Sequence, residues 1–77
     1  MNNEPSYLTR EGEKKIREEL AQLKGPAREE LAARLRFAIQ QGDLSENADY
    51  SAAKEDQAFL EGRIQELERI LGNVIFI

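Results

Sequence analysis

The chain has 77 residues, 40% of them hydrophobic and 34% charged, with two prolines and neither cysteine nor histidine. That inventory excludes a thiol nucleophile, an imidazole base, a Cys/His zinc site and a disulfide framework. No apolar run approaches the roughly 18–20 residues of a membrane span, and the opening MNNEPSY lacks a basic, apolar signal layout, so a soluble, cytoplasmic chain without a membrane partner is expected.

A domain this short builds a core worth only about 3–5 kcal/mol unless its helices pack ideally or it oligomerises. The net charge of -4, from 11 basic and 15 acidic residues, gives no bulk attraction to nucleic-acid phosphates. Where the charges lie matters more than their total.

Residues 1–72 read as an all-α antiparallel helical hairpin, a coiled coil with a short extended segment at its C-terminal end. Thr9 is the first helix start, a hydroxyl cap followed by acidic Glu11. Apolar residues recur at Ile16, Leu20, Leu23, Ala27, Leu31, Leu35 and Ile39, in steps of 4, 3, 4, 4, 4 and 4, keeping one helical face apolar over about residues 9–41. A heptad would alternate threes and fours, so any supercoil is weak. Gly25-Pro26 interrupts the run. Proline removes a donor and clashes with the carbonyl of Gln22, which predicts a kink within one helix.

Gly42 suits the left-handed position after a helix end. The tip follows at residues 42–46, and a second helix runs over about 46–71 to Gly72. Its apolar face is Ala53, Leu60, Ile64, Leu67 and Leu71, with Ala52 and Phe59 alongside and Gln57 in a gap that packs less securely. Two such helices joined by a short loop are antiparallel neighbours, each arm on the order of 35–45 Å long. Residues 73–77, ending VIFI, read as a strand. The favoured reading makes it the start of a linker or strand toward a further domain; the other folds it back near Tyr7 and Leu8.

The tip and the start of the second helix carry Asp43, Leu44, Ser45, Glu46, Asn47, Asp49 and Tyr50, and no Lys or Arg occurs anywhere in residues 37–53. A rod with an uncompensated acidic end can carry carboxylates, the ligands Mg²⁺ prefers, into another protein's pocket. A plainer reading stands beside it: Asp43 three residues before Glu46 fits a capping box that opens the second helix. Leu44 is an apolar residue placed for partner contact, although single exposed leucines are common, and Tyr50 reads more simply as a packing residue. On the arms, Arg28, Arg34 and Arg36 with Lys24 form a possible RNA or channel contact, but Glu29 and Glu30 among them favour an ordinary solvated face.

Three stretches, YLTREGEKKIREEL, GDLSENADYSAAKE and QAFLEGRIQELE, cover nearly the whole chain. In order and spacing they resemble the N-terminal coiled-coil domain of the bacterial transcript cleavage factors GreA and GreB, nearer to GreA. The resemblance implies a transcription elongation factor that is not itself an enzyme. Its hairpin would enter the secondary channel of a backtracked RNA polymerase, where the nascent RNA 3′ end is extruded. Asp43 and Glu46 match the family's two tip acids, which implies that they stimulate transcript cleavage by sharing an Mg²⁺ held mainly by the polymerase active site. Leu44, Ser45, Asn47, Asp49 and Tyr50 would be tip neighbours. Ser45 stands where some members carry a basic residue. Family members continue into a C-terminal FKBP-like domain, which residues 73–77 would lead into. The alternatives are a Gre-like inhibitor that blocks the channel and a purely structural hairpin.

Overall fold

A computed structural model describes residues 4–44 and 46–77. In chain order the elements are β1 (Ser6–Leu8), α1 (Arg10–Gln22), a π-helical turn (Leu23–Ala27), α2 (Arg28–Gln40), α3 (Ala48–Leu71) and β2 (Val74–Phe76). The expected helical hairpin is present. It spans 52 × 25 × 12 Å with a radius of gyration of 16.3 Å, against about 11–12 Å for a compact domain of this length.

Thr9 opens α1 as expected: its Oγ1 accepts from Gly12 N at 2.9 Å, with Glu11 and Glu13 in the first turn. The kink expected at Gly25-Pro26 takes the form of the π turn, with Pro26 inside it. A wider turn makes room for a ring that an α-helix would drive into the preceding carbonyl. It also turns the chain less per residue, offsetting the drift that successive steps of four impose on the apolar face. Beyond the turn that drift is uncorrected until a step of three from Leu35 brings in Ala38. Ala38 is 1% exposed, whereas Ile39, expected on the core face, is 52% exposed.

The core is thin: Leu31, Ala38, Ala53, Ile64 and Leu67 are the buried hydrophobic residues. Phe59 points outward at 71% exposure. Beside Gln57, where packing was expected to weaken, a depression of about 290 Å³ opens, lined also by Leu31, Leu35 and Leu60. Charged side chains close the seam from outside. Arg28 grips Glu61 through Nε and Nη2 at 2.8 and 2.6 Å, and Arg63 grips Glu19 at 2.9 and 3.2 Å. Lys24 reaches Glu68 at 3.0 Å and Arg34 reaches Asp56 at 2.9 Å.

The C-terminal strand has a partner inside the chain. β2 pairs with β1 in parallel, Ser6 opposite Val74, Tyr7 opposite Ile75 and Leu8 opposite Phe76. Ser6 N donates to Asn73 O at 2.8 Å and Ile77 N donates to Leu8 O at 3.0 Å. Parallel strands need a long crossover, and here the whole helical hairpin is that crossover. The strand therefore folds back beside Tyr7 and Leu8, a pairing that a strand leading into a further domain can make equally well. Arg10 covers the Phe76 ring, 4.5 Å from its centroid.

Candidate functional site: the acidic tip

The tip is built by the end of α2 and the start of α3. Gly42 follows α2 with φ at 106°, the left-handed conformation that glycine adopts without penalty. Gln41 N donates to Ala38 O at 3.1 Å and Gly42 N to Ile39 O at 3.2 Å, closing the last turn of α2.

The second helix begins at Ala48, two residues beyond the expected start. Its cap is Asn47, whose Oδ1 accepts from Tyr50 N at 3.1 Å, while Ser51 N donates to Asn47 O at 3.0 Å as the first backbone turn. The capping box expected of Asp43 and Glu46 is therefore absent. Both acids precede the cap and cannot supply the α3 terminus. The Asp-x-x-Glu spacing imitated that signal, while the residue that performs it was legible as an asparagine, a strong cap former, directly before the helical run.

Asp43 and Glu46 are both exposed and line one open depression of about 360 Å³ with Gln41, Asn47, Ala48 and Asp49. Glu46 makes no hydrogen bond or ion pair among the described residues. Leu44 is 40% exposed, and Ser45 lies outside the described residues. Asp49 sits in the first turn of α3, where a negative side chain suits the helix dipole; it also borders a smaller depression of about 140 Å³ with Arg34, Phe37 and Ala52. Tyr50 is half-buried, its backbone held by the cap. Neither Lys nor Arg stands in residues 37–53 to neutralise this end.

The arms read differently from the tip. Arg28 and Arg34 are engaged by Glu61 and Asp56 across the seam, which fits the solvated-face reading. Arg36 is exposed and makes no ion pair among the described residues. Hydrogen bonds from Arg28 hold the Glu61 carboxyl below its ordinary range against the opposing effect of desolvation, and those from Arg63 do the same for Glu19.

Among the described residues, no three His, Cys, Asp or Glu side chains are placed to hold a metal ion together, and no helix is long and apolar enough to cross a membrane. The tip presents carboxylates without an enclosing pocket.

Known proteins bear directly on this geometry. The family described as "Transcription elongation factor, N-terminal", that of GreA and GreB, matches residues 6–75. The chain is 51% identical to transcription elongation factor GreA of Shouchella clausii over 71 residues, covering 92% of this chain and 45% of that protein. It is 47% identical over 78 aligned positions to GreA of Bacillus cereus and to GreA of Geobacillus kaustophilus, in each case covering 100% of this chain and 49% of the relative. The chain thus spans about half the length of the curated relatives it matches. With the helical hairpin, its acidic end and these matches together, the chain belongs to the N-terminal domain family of the GreA/GreB transcription elongation factors.

Proposed function

We propose that this chain is the part of a transcript cleavage factor that carries acid groups into RNA polymerase. The hairpin enters the secondary channel of a backtracked complex, and Asp43 and Glu46 meet the polymerase active site and the extruded RNA 3′ end. The observation that carries this reading is the placement of both acids, exposed and beside one depression, at the end of a 52 Å rod, with helix capping assigned to Asn47.

The donor set suits Mg²⁺, which takes one or two protein carboxylates and completes its shell with waters and substrate oxygens. Asp43 and Glu46 would hold it from the factor's side. When bound, the metal supplies charge that activates water and stabilises the leaving oxygen of a phosphodiester. The chain's own residues do the rest: the two carboxylates orient the attacking water, and Leu44 meets the channel wall. The rod sets the reach, and the factor is a partner in a reaction the polymerase performs.

The test adds a full-length factor carrying this domain to backtracked elongation complexes with Mg²⁺. The comparison is wild type against Asp43→Asn combined with Glu46→Gln. Cleavage of the RNA 3′ end is expected to fall by about two orders of magnitude in the double variant, with binding to the complex retained. Equal cleavage by both overturns the role of the acids. Inhibition without cleavage by the wild type points instead to a channel blocker, and no effect of any kind to a structural hairpin.

A further inference from the structure

Asn47 does two separable things. Its Oδ1 closes the start of α3 by accepting from Tyr50 N at 3.1 Å, a task that Ser or Asp performs equally well. Its Nδ2 donates to Ala38 O at 2.7 Å, tying the first turn of α3 to the last turn of α2. That second contact needs a donor set beyond the atom that caps Tyr50 N; an ionised Asp has no donor, and the single Ser hydroxyl is too short to serve both partners. The anchor is firm: Ala38 is 1% exposed, and the same carbonyl accepts from Gln41 N at 3.1 Å. One side chain thus satisfies an end group of each helix.

We propose that Asn47 is a positioning residue for the tip acids. Its clamp fixes the distance between Ala38 and the start of α3, and Asp43 and Glu46 lie in the chain between those two anchors. This rests on the reading of those acids as the groups that promote cleavage. With the clamp in place the loop reaches the polymerase with its two ends set. Without it the α3 cap survives, but the loop ends move relative to each other and fewer docked complexes hold both acids in place. A displacement of about 1 Å at reacting groups is enough to cost up to ~100-fold in rate.

Asn47→Ser and Asn47→Asp keep the cap and break the tie to Ala38 O: the ionised carboxylate has no donor, and the hydroxyl is shorter than the amide that spans both partners. The expected result in a full-length factor is a fall of about tenfold in the cleavage rate at saturating factor. The half-saturating concentration stays within about twofold, and helix content by circular dichroism stays near wild type. A residue that served only folding or binding would not split rate from affinity in this way. In the 77-residue chain, the Asn47 side-chain amide protons are expected to exchange more slowly than those of a free asparagine. Fast exchange there, an unchanged saturated rate in both variants, or a change in half-saturation alone each overturns the proposal. Asp43→Asn with Glu46→Gln runs alongside. If that pair is inactive while both Asn47 variants cleave normally, positioning fails and the acids' role stands. If every variant cleaves like the wild type, the role of the acids fails, and the positioning proposal with it.

Discussion

The two ends of the rod are held by different physics. At the base, Ile64 and Leu67 are 2% and 1% exposed, and two short strands pair across the chain ends. Large apolar residues also remain on its surface there: Tyr7 at 62%, Ile75 at 43% and Ile77 at 80% exposure. At the tip the buried residues are alanines, Ala38 and Ala53 at 1% each, and the order comes from directional contacts: the Asn47 clamp and the left-handed turn at Gly42. Apolar burial is large and tolerant of small shifts, whereas hydrogen bonds and a positive φ fix a path without adding much stability. The base therefore carries the fold, and the tip can vary its chemistry with little cost to it.

The sharpest way to break this contrast is to remove core volume near the base. Leu67→Ala is expected to destabilise the chain by about 2–5 kcal/mol, comparable to everything a domain this small holds in reserve. Circular dichroism at 222 nm should show most of the helix lost or a strongly lowered melting temperature. A loss well below 1 kcal/mol would mean that the core does not hold the hairpin and that the ends are equivalent.

A second substitution tests the tip on its own terms. At Gly42 an added Cβ meets nothing within 4 Å, so Gly42→Ala carries only the strain of φ at 106°. The cost is about 1 kcal/mol, a fraction of the loss at Leu67. Amide chemical shifts should move in the tip loop and stay put in the lower half of α3. A loss as large as that of Leu67→Ala would put the tip on the same footing as the base.

The same division explains what the sequence could disclose. Thr9, Gly42 and the apolar faces were legible because each is a local signal, a cap, a turn or a period. The start of α3 was set two residues early because Asp43 and Glu46 have the spacing of a capping box, and spacing alone does not say which of two cap-forming residues wins. Ala38 replaced Ile39 on the core face because steps of four drift around a helix. The pairing of Ser6–Leu8 with Val74–Phe76 joins opposite ends of the chain, and no local pattern reports such a partnership. The acidic end was visible in the absence of basic residues around it, but by themselves the residues favoured capping for Asp43 and Glu46, and only the family resemblance singled them out as a working pair. The clamp that organises them depends on one carbonyl nine residues away, a contact that appears only once the two helices are side by side.

The smallest effect lies along the seam between the two ends and concerns pH. Glu61 and Glu19 are held below the ordinary carboxylate range, chiefly by hydrogen bonds from Arg28 and Arg63. Each carboxyl therefore gives up its proton more readily in the folded chain than in the unfolded one. The contribution to stability is fully present above the unfolded carboxylate value and is lost as pH falls through the lowered folded values. Melting temperature is expected to stay level from neutral pH down to the ordinary carboxylate range and to decline below it. Glu61→Gln should flatten part of that decline. Because these pairs face solvent, added salt should shrink the difference between the variant and wild type. Glu46 makes no ion pair among the described residues, so at neutral pH Glu46→Gln should lower the melting temperature less than Glu61→Gln does. If Glu46→Gln lowers it as much as Glu61→Gln does, the tip shares in holding the fold, and the separation between a base that stabilises and a tip that presents chemistry no longer describes this molecule.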